Sequence, residues 1–306
     1  MKRHLSLAFT LCCTLCLLAA SAKAQAGQRV APSISVTQLR DGVYFAEPNA
    51  GGNAGFIVGD NGVIVFDATT SPALGKLLLA EIAKVTPKPV TTVILSHSDG
   101  DHTSGLASFP TGLTIIAHEN CKADLVATAN TRNPFPQDHL PNKTLTKSET
   151  VTIDGVKLQI LHFAAAHTSG DLQLYLPQQK IVFTGDVIAT NCCGNVRGPQ
   201  VYTLIHPQKN GSGEGWVRTV KGLLALNADT YLPGHGEVQT KADVQQRFDR
   251  VETRFNAVKK LVAQGKTLEQ VKQALPDTGL DPSLDPVQFP DFTTVVYNEL
   301  TRKQKS

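Results

Sequence analysis

From about residue 35 the chain runs as short stretches of β-branched and aromatic residues separated by Gly and Asn. "GVYFAEPN", "AGFIVGDNGVIVFD" and "TTVILSH" read as strands, with "GDNG" as a hairpin turn. Between two of them, "SPALGKLLLAEIAKV" changes to helical spacing, with Pro72 near its first turn. The strand pattern then resumes in "LTIIAH", "VKLQILHF", "DLQLYLP", "KIVFTGD" and "DTYLPGHG", and no repeat of fixed period emerges. Strands mixed with helices, each strand closing on a polar cluster, predict an α/β fold of two packed sheets with helices outside.

The last sixty or so residues change character. "TKAD" opens a run as a capping box, and Val244, Phe248, Val251, Phe255, Val258 and Leu261 follow at alternating four- and three-residue steps. Gly265 stops this helix, and "TLEQ" caps a second, shorter one that ends before Pro276. No chemistry-bearing cluster falls here, so residues 241–306 are expected to form a helical extension that packs on the main domain or serves a dimer contact.

The N-terminus adds a targeting signal. Lys2 and Arg3 precede an apolar run from about Leu5 to Ala20, and "SAKA" supplies small residues at the spacing of a cleavage site. The run falls short of the ~20 residues a spanning helix needs. Residues 1–24 are therefore expected to be a signal peptide and 25–34 a linker, giving a periplasmic or secreted protein with no membrane anchor after cleavage. Lys2, Arg3 and Lys23 leave with the leader and no acidic residue goes with them, so the whole-chain charge of +3 becomes 0. No basic block remains to suggest nucleic acid or an anionic membrane. Cys12, Cys13 and Cys16 also leave, and the remaining Cys121, Cys192 and Cys193 are too few for a disulfide framework. Adjacent Cys192 and Cys193 either form a vicinal disulfide or stay free.

Candidate chemistry starts at "ILSHSDGDHTSG", where His97, Asp99, Asp101 and His102 follow the apolar strand 90–96. Loops at strand ends are where a rigid scaffold presents ligands. Taken alone, the set could be a solvated turn. Against that, His167 in "AAAHTSGD", Asp186 in "VFTGD" and His235 in "YLPGHGE" each follow an apolar stretch beside Gly or Pro. Imidazole suits zinc, and a carboxylate can bridge two cations about 3.5–4 Å apart, so these residue types fit a two-metal hydrolytic site.

The order His97-x-Asp99-x-Asp101-His102, then His167, Asp186 and His235, resembles the metallo-β-lactamase superfamily signature H-x-H-x-D-H, H, D, H. Asp67, at the end of "GVIVFD", stands where that family carries a supporting Asp. The resemblance covers residues 35–240 and implies a four-layered αββα sandwich with metals at one edge of the paired sheets. It assigns His97, Asp99 and His167 to a first divalent ion and Asp101, His102 and His235 to a second, with Asp186 bridging. It further implies hydrolysis of a small-molecule substrate by metal-bound hydroxide, which Asp101 would orient.

Asp99 departs from the pattern, since most family members carry His there. Two divalent cations against Asp99, Asp101, Asp186 and one hydroxide leave a formally neutral site, which should polarise substrate less than a His-bearing one. A harder ligand also moves preference from zinc toward iron or manganese. Asp186 replaces the Cys of the best-known zinc β-lactamases, and Ala189 the Lys that several carry to hold the lactam carboxylate. The expected substrate is an ester, thioester, lactone, lactam or phosphodiester. Two alternatives remain, β-lactamase activity and a persulfide dioxygenase of the same fold using one iron on His97, His167 and Asp186. His118 and His162 read as packed histidines, while His139 and His206 fall in the long irregular stretches 119–150 and 187–215, where lids are often found. Trp216 is expected to pack its helix onto a sheet.

Overall fold

The computed structural model describes residues 30–132, 134–190, 203–276 and 287–303. The expected signal peptide, its cleavage site and the Cys192–Cys193 pair lie outside the described residues. From Pro32 onward the described chain is one unit built on two sheets.

The first sheet has seven strands in sequence order: β1 (Ile34–Arg40), β2 (Val43–Pro48), β3 (Ala54–Val58), β4 (Val63–Phe66), β5 (Val90–Ile94), β6 (Thr114–His118) and β7 (Lys143–Leu145). The hairpins β1–β4 are antiparallel, and β4 to β7 pair in parallel. Helix α1 (Pro72–Val85) makes the β4–β5 crossover; Ser71 caps it by accepting from Leu74 N, and Pro72 occupies its first position. A single helical turn, α2 (Gly100–Thr103), and α3 (Glu119–Ala127) flank β6.

The second sheet runs β13-β12-β11-β10-β9-β8, from β8 (Glu149–Ile153), β9 (Val156–Leu161), β10 (Gln173–Leu176), β11 (Ile181–Ala189), β12 (Thr230–His235) and β13 (Gln239–Thr240). Its one parallel pair, β11 with β12, is crossed by α4 (Gly213–Leu224). Among the described residues three helices follow: α5 (Lys241–Ala263), α6 (Leu268–Ala274) and α7 (Phe292–Lys303).

Strand alternation sorts side chains into three apolar layers. In β4, Ile64 and Phe66 face the second sheet, meeting Leu174, Phe183 and Leu232, while Val63 and Val65 face Leu78 and Ile82 of α1. On the far side of the second sheet, Tyr175, Val182 and Tyr231 pack against Trp216 and Val220 of α4 and Val244, Phe248, Val251 and Val258 of α5. The layers are helix, sheet, sheet, helix, as the sequence led us to expect.

Some expectations are revised. The stretch 119–150 is not irregular: it holds α3, the turns Thr128–Asn130 and Gln137–His139, and β7. Helix α7 was not foreseen as a separate element, whereas α5 packs on the main domain as expected, its apolar stripe sharing a core with Trp216 and the second sheet. The capping boxes do form, Thr240 with Asp243 and Thr267 with Gln270, and Gly265 ends α5 with φ at +72°. Trp216 is fully buried and donates from Nε1 to Val187 O at 2.7 Å.

Candidate metal centre

The site gathers at one edge of the paired sheets. His97 lies three residues past β5, and α2 carries Asp101 and His102 with Asp99 at its N-cap position. His167 comes from the β9–β10 loop, and His235 closes β12. Asp186 sits within β11 rather than at its end; Gly185 beside it takes φ +52°, and the register with β12 shifts there. A bulge of this kind re-aims a side chain without ending the strand. Gly52 and Gly234 leave the space the site needs: a Cβ on the first would strike the His102 ring, and one on the second the Asp186 carboxylate.

All seven residues singled out in the sequence converge, and they do so as two adjoining groups. In the first, Asp99 Oδ2 lies 3.2 Å from His167 Nε2 and 3.6 Å from His97 Nε2. In the second, Asp101 Oδ2 lies 3.0 Å from His235 Nε2 and 3.6 Å from His102 Nε2. Asp186 stands between them, with Oδ1 3.1 Å from His102 Nε2 and Oδ2 3.4 Å from His235 Nε2 and 3.9 Å from His167 Nε2. Within each of the sets His97–Asp99–His167, Asp101–His102–His235 and His97–His102–Asp186, the ligand atoms lie within 4.8 Å of one another. His97, His102, His167 and Asp186 are buried, and Asp101 is the most exposed carboxylate, its side chain 34% accessible.

Supporting contacts aim the imidazoles. His102 Nδ1 meets Asp67 Oδ2 at 2.9 Å, and Asp67, held at φ +60°, also accepts from Ser96 N and Ser96 Oγ, each at 2.7 Å. Ser96 Oγ reaches His97 Nδ1 at 2.8 Å, and His167 Nδ1 faces Leu204 O at 3.0 Å. In all three rings Nδ1 is engaged by the protein, which leaves Nε2 for the centre.

Charge dominates the local titration. Burial favours the neutral form of Asp186, but His235 and His102 more than offset it and hold the carboxyl well below the usual range. Asp99 is lowered the same way, burial being outweighed by His97 and His167. Conversely, burial opposes charge on His167, yet its hydrogen bond to Asp99 and the nearby Asp186 push it up to about 9. His235 also rises to about 9 against burial, through Asp186 and Asp101. His97 Nε2 is buried with no hydrogen-bond partner, though it points at the first group. An orphaned imidazole nitrogen among three carboxylates is costly unless a cation takes it up, so the donor set fits divalent metal.

The formally neutral tally from sequence lacks one charge. Lys209 Nζ lies 2.5 Å from Asp99 Oδ1, and this residue was not singled out because it stands 110 positions away, in a stretch without a motif. The histidines set aside fall as follows. His139 is buried against Phe109 O, and His118 stacks on His162 at 4.2 Å; neither pair belongs to the centre. His206 donates its backbone N–H to His167 O, and its ring packs against Phe289, 5.1 Å between centroids. Phe289 also lies over His167, so the segment before α7 contributes to the wall of the site.

Fold and site define an αββα protein with two adjoining His/Asp groups suited to metal. The sequence profile of the metallo-beta-lactamase superfamily matches residues 49–235, and the chain belongs to that superfamily. It is 28% identical over 181 residues to the 2,4-dinitroanisole O-demethylase subunit alpha of Nocardioides sp., covering 58% of this chain and 51% of that one. It is 25% identical over 228 residues to a metallo-beta-lactamase type 2 of Bacteroides fragilis, covering 70% and 84%. In structure it resembles a stereoselective inverting sec-alkylsulfatase from Pseudomonas sp., with a TM-score of 0.69 at 16% identity, covering 87% of this chain and 50% of the other. The chain thus spans about half the length of the demethylase subunit and of the sulfatase.

Proposed function

We propose that the protein is an exported, binuclear metal-dependent hydrolase of a small ester, thioester, lactone, lactam or phosphodiester. The observation that carries this reading is the position of Asp186, whose two oxygens face His102 on one side and His167 and His235 on the other. A carboxylate so placed is what a shared ligand between two ions requires. His97, Asp99 and His167 would hold one ion and Asp101, His102 and His235 the other. Divalent cations bound there supply Lewis acidity, lowering the pKa of water and taking up charge on the substrate's reacting oxygen.

The chain's own residues do the rest. Asp101, the most accessible carboxylate of the set, would also orient the attacking water. Asp67 and Ser96 fix the tautomers and directions of His102 and His97. Buried β11 and β12 exclude bulk water from the floor of the site. The relatives named above act on different bonds, so the substrate is taken from the chemistry of the site and not from any one of them.

The single-iron dioxygenase is the weaker reading, because Asp99 points into the group of His97 and His167 and the second group is complete. Zinc is the ion proposed, with iron or manganese the harder-metal alternatives that Asp99 would favour. Export rests on the basic, then apolar, then small-residue order of residues 1–24. Asp186→Ala should abolish both metal uptake and hydrolysis, and an active Asp186→Ala protein would falsify the hydrolase reading. Hydrolysis by the wild type should persist without oxygen; strict dependence on oxygen would point to the dioxygenase.

A further inference from the structure

Asp99 divides its two oxygens between different tasks. Oδ2 faces His167 Nε2 at 3.2 Å and His97 Nε2 at 3.6 Å, toward the first ion position. Oδ1 faces away from it and meets Lys209 Nζ at 2.5 Å. The ammonium is itself held in place. It donates to Ser98 Oγ at 3.0 Å, and that hydroxyl donates to Asp124 Oδ2 at 2.8 Å. The Lys209 backbone is anchored on the His167 side of the site: its N–H donates to His206 O at 3.0 Å and its carbonyl accepts from Ser169 N at 2.9 Å. Side-chain exposure is 24% for Lys209 and 12% for Asp99, so water screens the pair only weakly.

A histidine in place of Asp99 would offer one nitrogen and no charge. A free carboxylate would offer two oxygens and a negative charge. We propose that Lys209 is a positioning residue that converts Asp99 into the equivalent of a neutral, one-atom ligand. The ammonium occupies Oδ1, leaves Oδ2 alone to face the first ion, and cancels the charge that an Asp brings and a His does not. With Lys209 counted, the protein charge around the two ions equals that of a site with His at position 99 and no lysine. The inference rests on the metal-site reading above and adds to it a residue that acts only through Asp99.

The test is a cycle of variants read by metal binding. Chelator-stripped wild type, Lys209→Met, Lys209→Arg, Asp99→His and the Asp99→His/Lys209→Met double variant are titrated with cobalt(II) against a chromophoric chelator. Visible bands report cobalt at both positions, the bands that change in Asp99→His mark the ion at His97 and His167, and far-UV circular dichroism checks each fold beforehand. Lys209→Met should weaken that ion by about tenfold or more, the usual cost of losing the group that orients a ligand, and alter its bands. Lys209→Arg, which keeps the charge and a donor, should recover most of the loss. In the Asp99→His background the sign should reverse: no carboxylate remains to orient, the ammonium only repels the ion, and its removal should tighten binding.

Weakening in both backgrounds would make Lys209 a structural residue, and tightening in both would make it a repulsive bystander. Either result, or no change in either background, overturns the proposal while leaving the metal site intact. A wild type that binds no cobalt overturns both. Should Lys209→Met not fold, Lys209→Gln carries the same predictions.

Discussion

Asp67 controls the centre without facing it. Its backbone takes φ +60°, a region an L-residue enters only at a cost of about 1–3 kcal/mol, and the buried carboxylate then meets Ser96 twice and His102 Nδ1 once. Asp67→Asn keeps the shape but loses the anion, so His102 is no longer fixed with Nε2 free for metal. Affinity for the ion at Asp101, His102 and His235 should fall about 10–100-fold, measured by chelator competition, with the fold retained. The histidines also give a pH signature. In chelator-stripped protein the ordinary His value of 6.5 is raised to about 9 at His167 and His235, mainly against burial and by Asp99 and Asp186. A raised histidine stabilises the fold fully below 6.5 and loses that contribution as pH climbs to about 9. The stripped protein's melting temperature should therefore drop across that window. Metal uptake must displace the same protons, so affinity should rise over it, and calorimetry in buffers of different ionisation heat should detect their release. At this scale the proposed ligands were legible because each keeps its place in an ordered motif. Lys209 was not, since a lone lysine carries no pattern and its partner lies on another loop.

At the scale of elements, the turn after β5 brings four of the seven residues, and β11 and β12 add Asp186 and His235. The parallel pair brings Asp186 and His235 side by side only because Gly185 bends β11 and Gly234 leaves room on β12. Gly234→Ala sets a methyl against the Asp186 carboxylate and should lower bound metal per chain, as elemental analysis of the folded variant would register. The same strands lean on α4 and α5 through Trp216, whose ring is fully buried and whose Nε1 holds Val187 O. Trp216→Ala should cost about 3–5 kcal/mol in urea unfolding. Strands and the long helices were readable from period alone: α1 has its Ser71 cap and Pro72 start, and α5 has its capping box and apolar stripe. The region 119–150 was not, because α3 is a short helix of weak amphipathic pattern and β7 spans only three residues. Such pieces form by tertiary packing, which sequence period does not record.

Across the whole molecule, the C-terminal helices serve both stability and the site. Val244, Phe248, Val251 and Val258 of α5 and Val295 and Val296 of α7 belong to the core that backs the second sheet. Truncation at residue 240 should expose that core and yield insoluble protein, not a smaller active enzyme. The chain before α7 also returns to the metal centre, where Phe289 lies over His167 and Gln288 meets His206 at 3.2 Å. Nothing in the linear pattern joined that segment to His206, 82 positions from Gln288, or to the still more distant His167; the fold does. The central claim is that Asp186 joins two complete ligand groups into one binuclear centre. Metal content per chain, measured by elemental analysis on protein purified without added metal, tests it most directly. Close to two divalent ions per chain are expected, both lost in Asp186→Ala. A single iron per chain, retained when Asp101 or His235 is replaced, would contradict it.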